Sequence, residues 1–132
     1  MATRLIVALA ALALASFGQP AAATGTLECD AVDGRAGLRL TVGSLPVLSV
    51  VRMDIAVGEE IWSTDEAAGR PIRVGQAFQT ADSWRIDATD PNVEAVVAEV
   101  RLWSASEGSD TAFAGTLKVT GGGAFAIACV GP

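Results

Sequence analysis

The first side chains with the potential for chemistry are two pairs of carboxylates that flank a tryptophan. Glu59 and Glu60 precede Trp62, and Asp65 and Glu66 follow it. Two carboxyl groups beside an aromatic platform hydrolyse glycosides when one is desolvated and the other stays ionised. Adjacent residues of a strand point to opposite faces, however, so neither pair converges locally. We expect solvated loop charges, and a carboxylate-based glycoside-acting enzyme is the least favoured interpretation.

A second oxygen-rich stretch carries four side chains of the kind that calcium binds: Asp87, Asp90, Asn92 and Glu94. Their spacing lacks the D-x-D-x-D-G frame of the helix-loop-helix calcium site. An Asp-Pro-Asn turn explains the same residues, because an aspartate there accepts local backbone N–H bonds and proline fixes φ. We favour the turn and keep calcium as the alternative.

The chain of 132 residues contains no histidine. The Ser-His-Asp and Cys-His nucleophile systems therefore lack their base, and histidine-ligated zinc, copper and haem sites lack their ligand. The triple glycine at 121–123 lacks the Lys-Ser/Thr pair that follows in a phosphate-binding loop. We predict a protein without enzymatic activity, with no catalytic residue and no cofactor.

The N-terminus has the three-part layout of a secretory signal. Arg4 supplies a positive start, residues 5–17 are apolar or small, and small residues precede a cleavage site after Ala23. The apolar run of 13 residues is shorter than the roughly 20 that a membrane-spanning helix needs, so an uncleaved anchor is the less favoured alternative. We predict a cleaved signal peptide over 1–23 and one domain over 24–132, periplasmic or secreted and not inserted in a membrane.

Two cysteines remain after cleavage, Cys29 and Cys129. An even count in a small exported domain predicts a disulfide, and two cysteines allow one intramolecular pairing. Closing a loop of this length is worth up to about 4–5 kcal/mol in chain entropy. A free reactive thiol is the alternative, and lipidation is disfavoured because Cys29 follows Glu28 rather than a small residue.

Charge narrows the class of partner. The whole chain has a net charge of −6, and loss of Arg4 with the signal leaves 8 basic and 15 acidic residues, a net −7. A duplex phosphate backbone repels such a surface, and no cluster of basic residues offsets it. The partner predicted is an unknown protein or polysaccharide ligand, not a nucleic acid.

The candidate side chains named above must be positioned by secondary structure, and the sequence shows mainly alternating apolar and polar residues. Short period-two runs bounded by Gly, Pro, Asp and Ser are typical of strands. Turn signals about ten residues apart predict an all-β fold, an antiparallel β-sandwich or small barrel of about seven to nine strands, preceded by a helical signal peptide. The predicted strands are 25–32, 36–43, 47–57, 59–63, 71–76, 83–89, 95–104, 111–120 and 124–130.

One segment, 93–103, fits either a helical face or a strand. Its alternating valines favour a strand. Pairing residues whose numbers sum to 217 places Val100 opposite Leu117 and puts the apolar side chains on one face. The same register sets Glu99 opposite Lys118 and makes 107–110 a hairpin loop.

Three tryptophans, Trp62, Trp84 and Trp103, are the remaining candidates for ligand or partner contact. In the core they are packing anchors, and on an exposed face they could stack on a sugar or a partner. The proposed register puts Trp103 on the solvent face with Glu99. We therefore favour an exported cell-envelope binding or interaction module without catalytic activity. The alternative is a secreted protein inhibitor of a hydrolase that uses a rigid loop such as 63–70 or 107–110.

Export and cleavage predict a mature chain that begins at Thr24. N-terminal sequencing and the intact mass of the exported protein test this start. An Ala23→Arg variant should accumulate as the uncleaved precursor, because the cleavage site requires small residues. An exported wild-type product that begins at Met1 would contradict the prediction.

Overall fold

The computed structural model describes residues 24–132, and the predicted signal peptide lies outside the described residues. Within that range no helix is long and apolar enough to span a membrane. The described residues form ten strands: β1 (Gly25–Ala31), β2 (Ala36–Val42), β3 (Val50–Val57), β4 (Glu60–Ser63), β5 (Arg70–Pro71), β6 (Arg73–Gln79), β7 (Ser83–Thr89), β8 (Val96–Glu107), β9 (Asp110–Val119) and β10 (Gly123–Val130).

All ten strands belong to one sheet in the order β5-β4-β3-β2-β1-β10-β9-β8-β7-β6, which curls into a nearly closed, barrel-like shape. The all-β prediction is confirmed. The single barrel-like sheet agrees with the small-barrel alternative and not with the two-sheet sandwich, and it has ten strands where seven to nine were predicted. The count rises because the strand predicted over 71–76 is two strands, β5 and β6, with different partners.

The segment 70–79 joins the two ends of the sheet. Its first part, β5, pairs in parallel with β4, and the N–H of Ile72 then donates to the carbonyl of Ser63 at 3.0 Å. Its second part, β6, pairs antiparallel with β7. One continuous stretch of chain therefore bonds to strands from both halves of the sheet and closes it on one side.

The sheet is not closed along its whole length, because the edges of β3 and β6 are not paired with each other. Residues 50–52 of β3 and 76–79 of β6 have ladder partners on one side only within the described chain. We call the gap between these two strand edges the open seam. A loop over 43–49 borders it, closed by a 2.8 Å hydrogen bond from the Gly43 N–H to the Ser49 carbonyl. The strand predicted from residue 47 accordingly begins only at Val50.

The inner face of the sheet forms one hydrophobic core. Alternate residues of each strand point inward, and burying each large aliphatic side chain contributes about 1.5–3 kcal/mol. The largest fully buried residues include Leu27, Leu40, Met53, Ile55, Ile86, Val100, Leu102, Leu117 and Ile127. The outer face is mainly polar and carries most of the charged side chains.

The pairing of β8 with β9 follows the predicted register. Val100 lies opposite Leu117, and Glu99 lies opposite Lys118, whose Nζ is 2.5 Å from the Glu99 carboxylate. The contested segment 93–103 is therefore a strand from Val96 onward, and its first three residues belong to the preceding turn. A Cβ added at Gly115 would collide with the carbonyl of Arg101 on β8, so the close approach of these strands requires glycine there.

The predicted disulfide between Cys29 and Cys129 is confirmed. The two residues face each other directly across β1 and β10, with Cα atoms 3.9 Å apart. It therefore links the first strand to the last in the middle of the sheet.

Replacing both cysteines with alanine should lower the free energy of unfolding by about 2–5 kcal/mol, because the bridge closes a loop of 100 residues. Urea unfolding of the wild type and of the Cys29→Ala/Cys129→Ala variant measures the difference. Adding a reductant should bring the wild type to the midpoint of the variant and leave the variant unchanged. Equal midpoints without reductant would show that the bridge contributes nothing.

Candidate functional site

The three tryptophans separate into two buried residues and one exposed one. Trp62 lies in the core with the Arg70 guanidinium 5.4 Å from its ring centre. Trp84 packs against Phe113 with ring centres 4.9 Å apart. Trp103, by contrast, is 62% exposed. Of the three predicted contact residues, only Trp103 is therefore open to a partner.

Trp103 owes its exposure to its position in β8. It is an even number of residues from Glu99 and Arg101 and points with them to the outer face, whereas Val100 and Leu102 point into the core. Its neighbours across the sheet, Ser83 and Ala114, are small and leave the indole uncovered.

The register places a second exposed aromatic and two arginines on the same outer face. Phe78 on β6 lies opposite Arg85 on β7, and Arg85 lies opposite Arg101 on β8. Phe78 is 53% exposed. We call these three residues and Trp103 the aromatic–arginine face. A groove of about 320 Å³ is lined by Phe78, the two arginines, Asp87 and Gln76.

Arg101 is held rigidly in this face. Its Nη1 donates to the Asp87 carboxylate at 2.8 Å and to the Val100 carbonyl at 2.8 Å, and its Nη2 donates to Glu99 at 3.3 Å. Glu99 is shared with Lys118, whose hydrogen bond lowers the pKa of the Glu99 carboxyl. These bonds fix the positions of Arg101 and Asp87, which line the groove, before a partner binds.

Arg85 differs from Arg101 because no carboxylate of residues 24–132 forms a salt bridge with it. Its guanidinium thus has donors that no carboxylate of the described chain engages, on the same outer face as the exposed Phe78 and Trp103. A guanidinium fork is suited to a carboxylate, and the rings offer apolar area at low entropic cost. The face has the chemistry of a binding surface.

The sequence did not identify Phe78 or Arg85. The strand predicted over 71–76 stopped short of Phe78, and no partner was predicted for it. Phe78, an aromatic residue of high strand propensity just before the turn at 80–82, is the signal that would have extended the strand.

The predicted calcium residues do not converge. The carboxylate of Asp90 accepts the N–H groups of Asn92, Glu94 and Ala95, at 3.3, 2.7 and 2.7 Å. Asp87 is bonded to Arg101 on the sheet. Across residues 24–132 no group of three or more metal-ligating side chains comes together. Asp90 therefore organises the turn, in which Val93 is held at a φ of 61°.

Two of the four carboxylates around Trp62 are likewise engaged by other groups, whereas Glu59 and Glu66 form no salt bridge among the described residues. Glu60 pairs with Arg70 at 2.7 Å, and Asp65 pairs with Arg52 at 3.1 Å. Arg52 also bonds Asp54, which accepts the hydroxyl of the buried Ser63. Burial favours the neutral form of Asp54, but these hydrogen bonds outweigh it and lower the pKa of the carboxyl.

Comparison of the chain with protein-family models, curated proteins and solved structures finds no match.

The turn at Asp90 makes stability depend on pH. Backbone hydrogen bonds, foremost that from Ala95, lower the pKa of Asp90 below its ordinary 3.8. A carboxyl whose pKa is lower when folded stabilises the fold above its unfolded pKa, and this contribution is lost as pH falls through the folded value. An Asp90→Asn variant should therefore melt below the wild type at pH 6.

The difference in melting temperature between wild type and Asp90→Asn should shrink as pH falls from 3.8 through the lower folded pKa, since Asp90 becomes neutral in the folded protein only below that value. Glu94→Gln in the same turn is the matched control, because no hydrogen bond engages its side chain among the described residues and its melting curve should follow the wild type. A pH-independent difference would contradict this account.

Proposed function

We propose that this chain is an exported, non-catalytic binding module of the cell envelope, periplasmic or secreted, that recognises a protein partner through the aromatic–arginine face. The observation that carries the proposal is Arg85. Its guanidinium has no carboxylate partner among the described residues, and it shares the outer face with the exposed Phe78, directly opposite, and the exposed Trp103, two residues along β8 from its partner Arg101. Six of the eight basic residues of the mature chain, by contrast, are in salt bridges.

Composition supports a protein partner. Tryptophan and arginine are enriched among the residues that dominate binding energy at protein interfaces, and they act best when packing excludes water around them. Arg101 is already ordered by its bonds to Asp87 and Glu99, so binding would not have to immobilise it. A preorganised surface loses less entropy when a partner binds.

The charges of the chain favour a partner that presents a single carboxylate to Arg85 and is not strongly acidic overall. The mature chain is negative and would repel a strongly acidic protein. Screening limits that repulsion to roughly 8 Å at physiological salt. A single carboxylate placed on Arg85 would meet a locally positive site, and the rest of the contact would be apolar.

The absence of catalysis is part of the proposal. It is supported by the lack of histidine in the whole sequence. It is also supported by the salt bridges that engage Glu60, Asp65 and Asp87, since a paired carboxylate is poorly placed to act as an acid or base.

A hydrolase inhibitor is the second candidate, and one observation favours it. The predicted loop 63–70 is exposed at residues 65–68 and is fixed at its base. Its anchors are the Thr64 N–H, which donates to the Met53 carbonyl at 3.0 Å, and the Asp65 carboxylate, which accepts from Ala67. Inhibitory loops need such rigidity, because a flexible segment would lose entropy on entering an active site.

Replacing Trp103 with alanine or Arg85 with glutamate should abolish capture of a partner protein from envelope extracts by the exported protein. Each change removes a central interface residue, worth about 2 kcal/mol or roughly 30-fold in affinity. Val130→Ala, an equally exposed apolar position on β10, is the matched control and should capture the same partner. Quantitative mass spectrometry of bound proteins gives the result.

The remaining outcomes of the capture experiment separate the alternatives. Capture that survives both changes would contradict the proposal. Capture of a hydrolase that depends on residues 65–68 would favour the inhibitor. Sedimentation of the protein with cell-wall polysaccharide, abolished by Trp103→Ala, would move the ligand class from protein to sugar.

A further inference from the structure

The open seam leaves part of the β6 backbone unpaired. In the hairpin from β6 to β7, the Thr80 N–H donates to the Ser83 carbonyl at 2.8 Å. Bonded and non-bonded residue pairs alternate along an antiparallel ladder, so Phe78 bonds to β7 while Ala77 and Gln79 do not. The N–H and C=O groups of Ala77 and Gln79 therefore point away from β7, toward the seam.

A groove lies beside these backbone groups. It has a volume of about 450 Å³, and Pro46, Val47 and Leu48 line one wall while residues 77–80 line the other. Val47 is 68% exposed, although it is a large aliphatic residue. The hydrogen bond that closes the loop 43–49 holds this apolar wall in place.

The free edge of β6 is not protected in the way that sheet edges usually are. Natural edges carry charges or proline, or are covered, because an uncharged edge pairs with other strands. Residues 76–79 include neither a charge nor a proline. A bulge at Gly75, where the β6–β7 register shifts, limits the flat edge to these four residues.

We infer that the open seam binds an extended peptide, which adds as a strand to the edge of β6 and fills the groove beside the loop 43–49. The inference rests on the proposed function and names the form of its protein partner. Main-chain hydrogen bonds to Ala77 and Gln79 would hold the peptide, as in other cases of strand addition.

The side chains of the added strand would alternate between two environments. One set would face the groove wall of Val47 and Leu48 and should be apolar. The other set would lie on the outer face beside Phe78, within reach of the unpaired Arg85, and should include a carboxylate. The matching ligand is thus a short strand of alternating apolar and acidic residues.

A fluorescein-labelled octapeptide of alternating valine and glutamate is the probe, titrated into the exported protein and followed by polarisation. We expect saturable binding, weakened about tenfold when alternate peptide nitrogens are methylated, because methylation removes the main-chain donors. A valine–lysine octapeptide should bind more weakly than the valine–glutamate one, and Arg85→Glu should reverse that order.

Hydrogen exchange measured by NMR locates the peptide without changing the fold. The amides of Ala77 and Gln79 should exchange quickly in the free protein and slow at least tenfold at saturation. The amide of Phe78, already bonded to β7, is the internal control. Ala77→Pro removes one outward donor and should weaken binding, and if that variant does not fold the exchange data decide alone.

Three results would overturn the inference: no saturable binding of the peptide, binding that leaves the Ala77 and Gln79 amides unprotected, or protection that appears without peptide as the protein dimerises through β6. In each case the capture experiment with Trp103→Ala and Arg85→Glu still reports on the aromatic–arginine face. If these two variants lose capture while no peptide binds at the open seam, the proposed function stands and strand addition is rejected.

Discussion

The pairing of β1 with β10 is the contact on which the rest of the structure depends. The sheet consists of two sequential halves, β1 to β5 and β6 to β10, and within each half every strand pairs with its neighbour in sequence. Only β1 and β10 join the halves by a ladder, across a separation of 100 residues. Closing so long a loop costs entropy that local hairpins do not pay. The disulfide between Cys29 and Cys129 removes much of that cost by constraining the unfolded chain.

The segment 70–79, which also connects the two halves of the sheet, explains where a partner has room to bind. The segment 70–79 bonds to β4 and then to β7, so it closes the sheet only along the stretch where β5 and β6 succeed each other. Beyond Gly75 the segment no longer pairs with β4, and no strand bridges the edges of β3 and β6. The open seam therefore follows from one stretch of chain, 70–79, that pairs with both ends of the sheet as β5 and then β6, and the aromatic–arginine face adjoins it. Phe78 belongs to both surfaces, which couples them geometrically.

Local pairing was predictable and distant pairing was not. The β8–β9 register followed from the alternation of Val100 and Leu102 and from a turn at 107–110, because a one-residue slip would expose the apolar set. The same argument fixed the outward position of Trp103. The disulfide followed from the cysteine count. Nothing in Arg70-Pro71-Ile72-Arg73 marks a change of partner, so the division into β5 and β6 required the folded chain. Likewise β4, with four residues, is too short for its pattern to reveal that Trp62 is buried.

On the outer face, regions where charged side chains are held in salt bridges can be told apart from the region around Arg85, where they are not. Cross-strand pairs such as Glu28–Arg39 and Glu99–Lys118 neutralise the outward charges of the central strands. Exposed pairs of this kind add little stability, typically about 0–1 kcal/mol, so their main effect is that the paired side chains offer no free charge to another molecule. Around the end of β6 the side chains and backbone groups lack such partners. Arg85 has no carboxylate, Phe78 and Val47 have no apolar cover, and the outward amides of Ala77 and Gln79 have no acceptor within the described chain. Three kinds of unmet interaction, ionic, apolar and backbone, thus coincide at one edge, and a strand with acidic and apolar residues would meet all three.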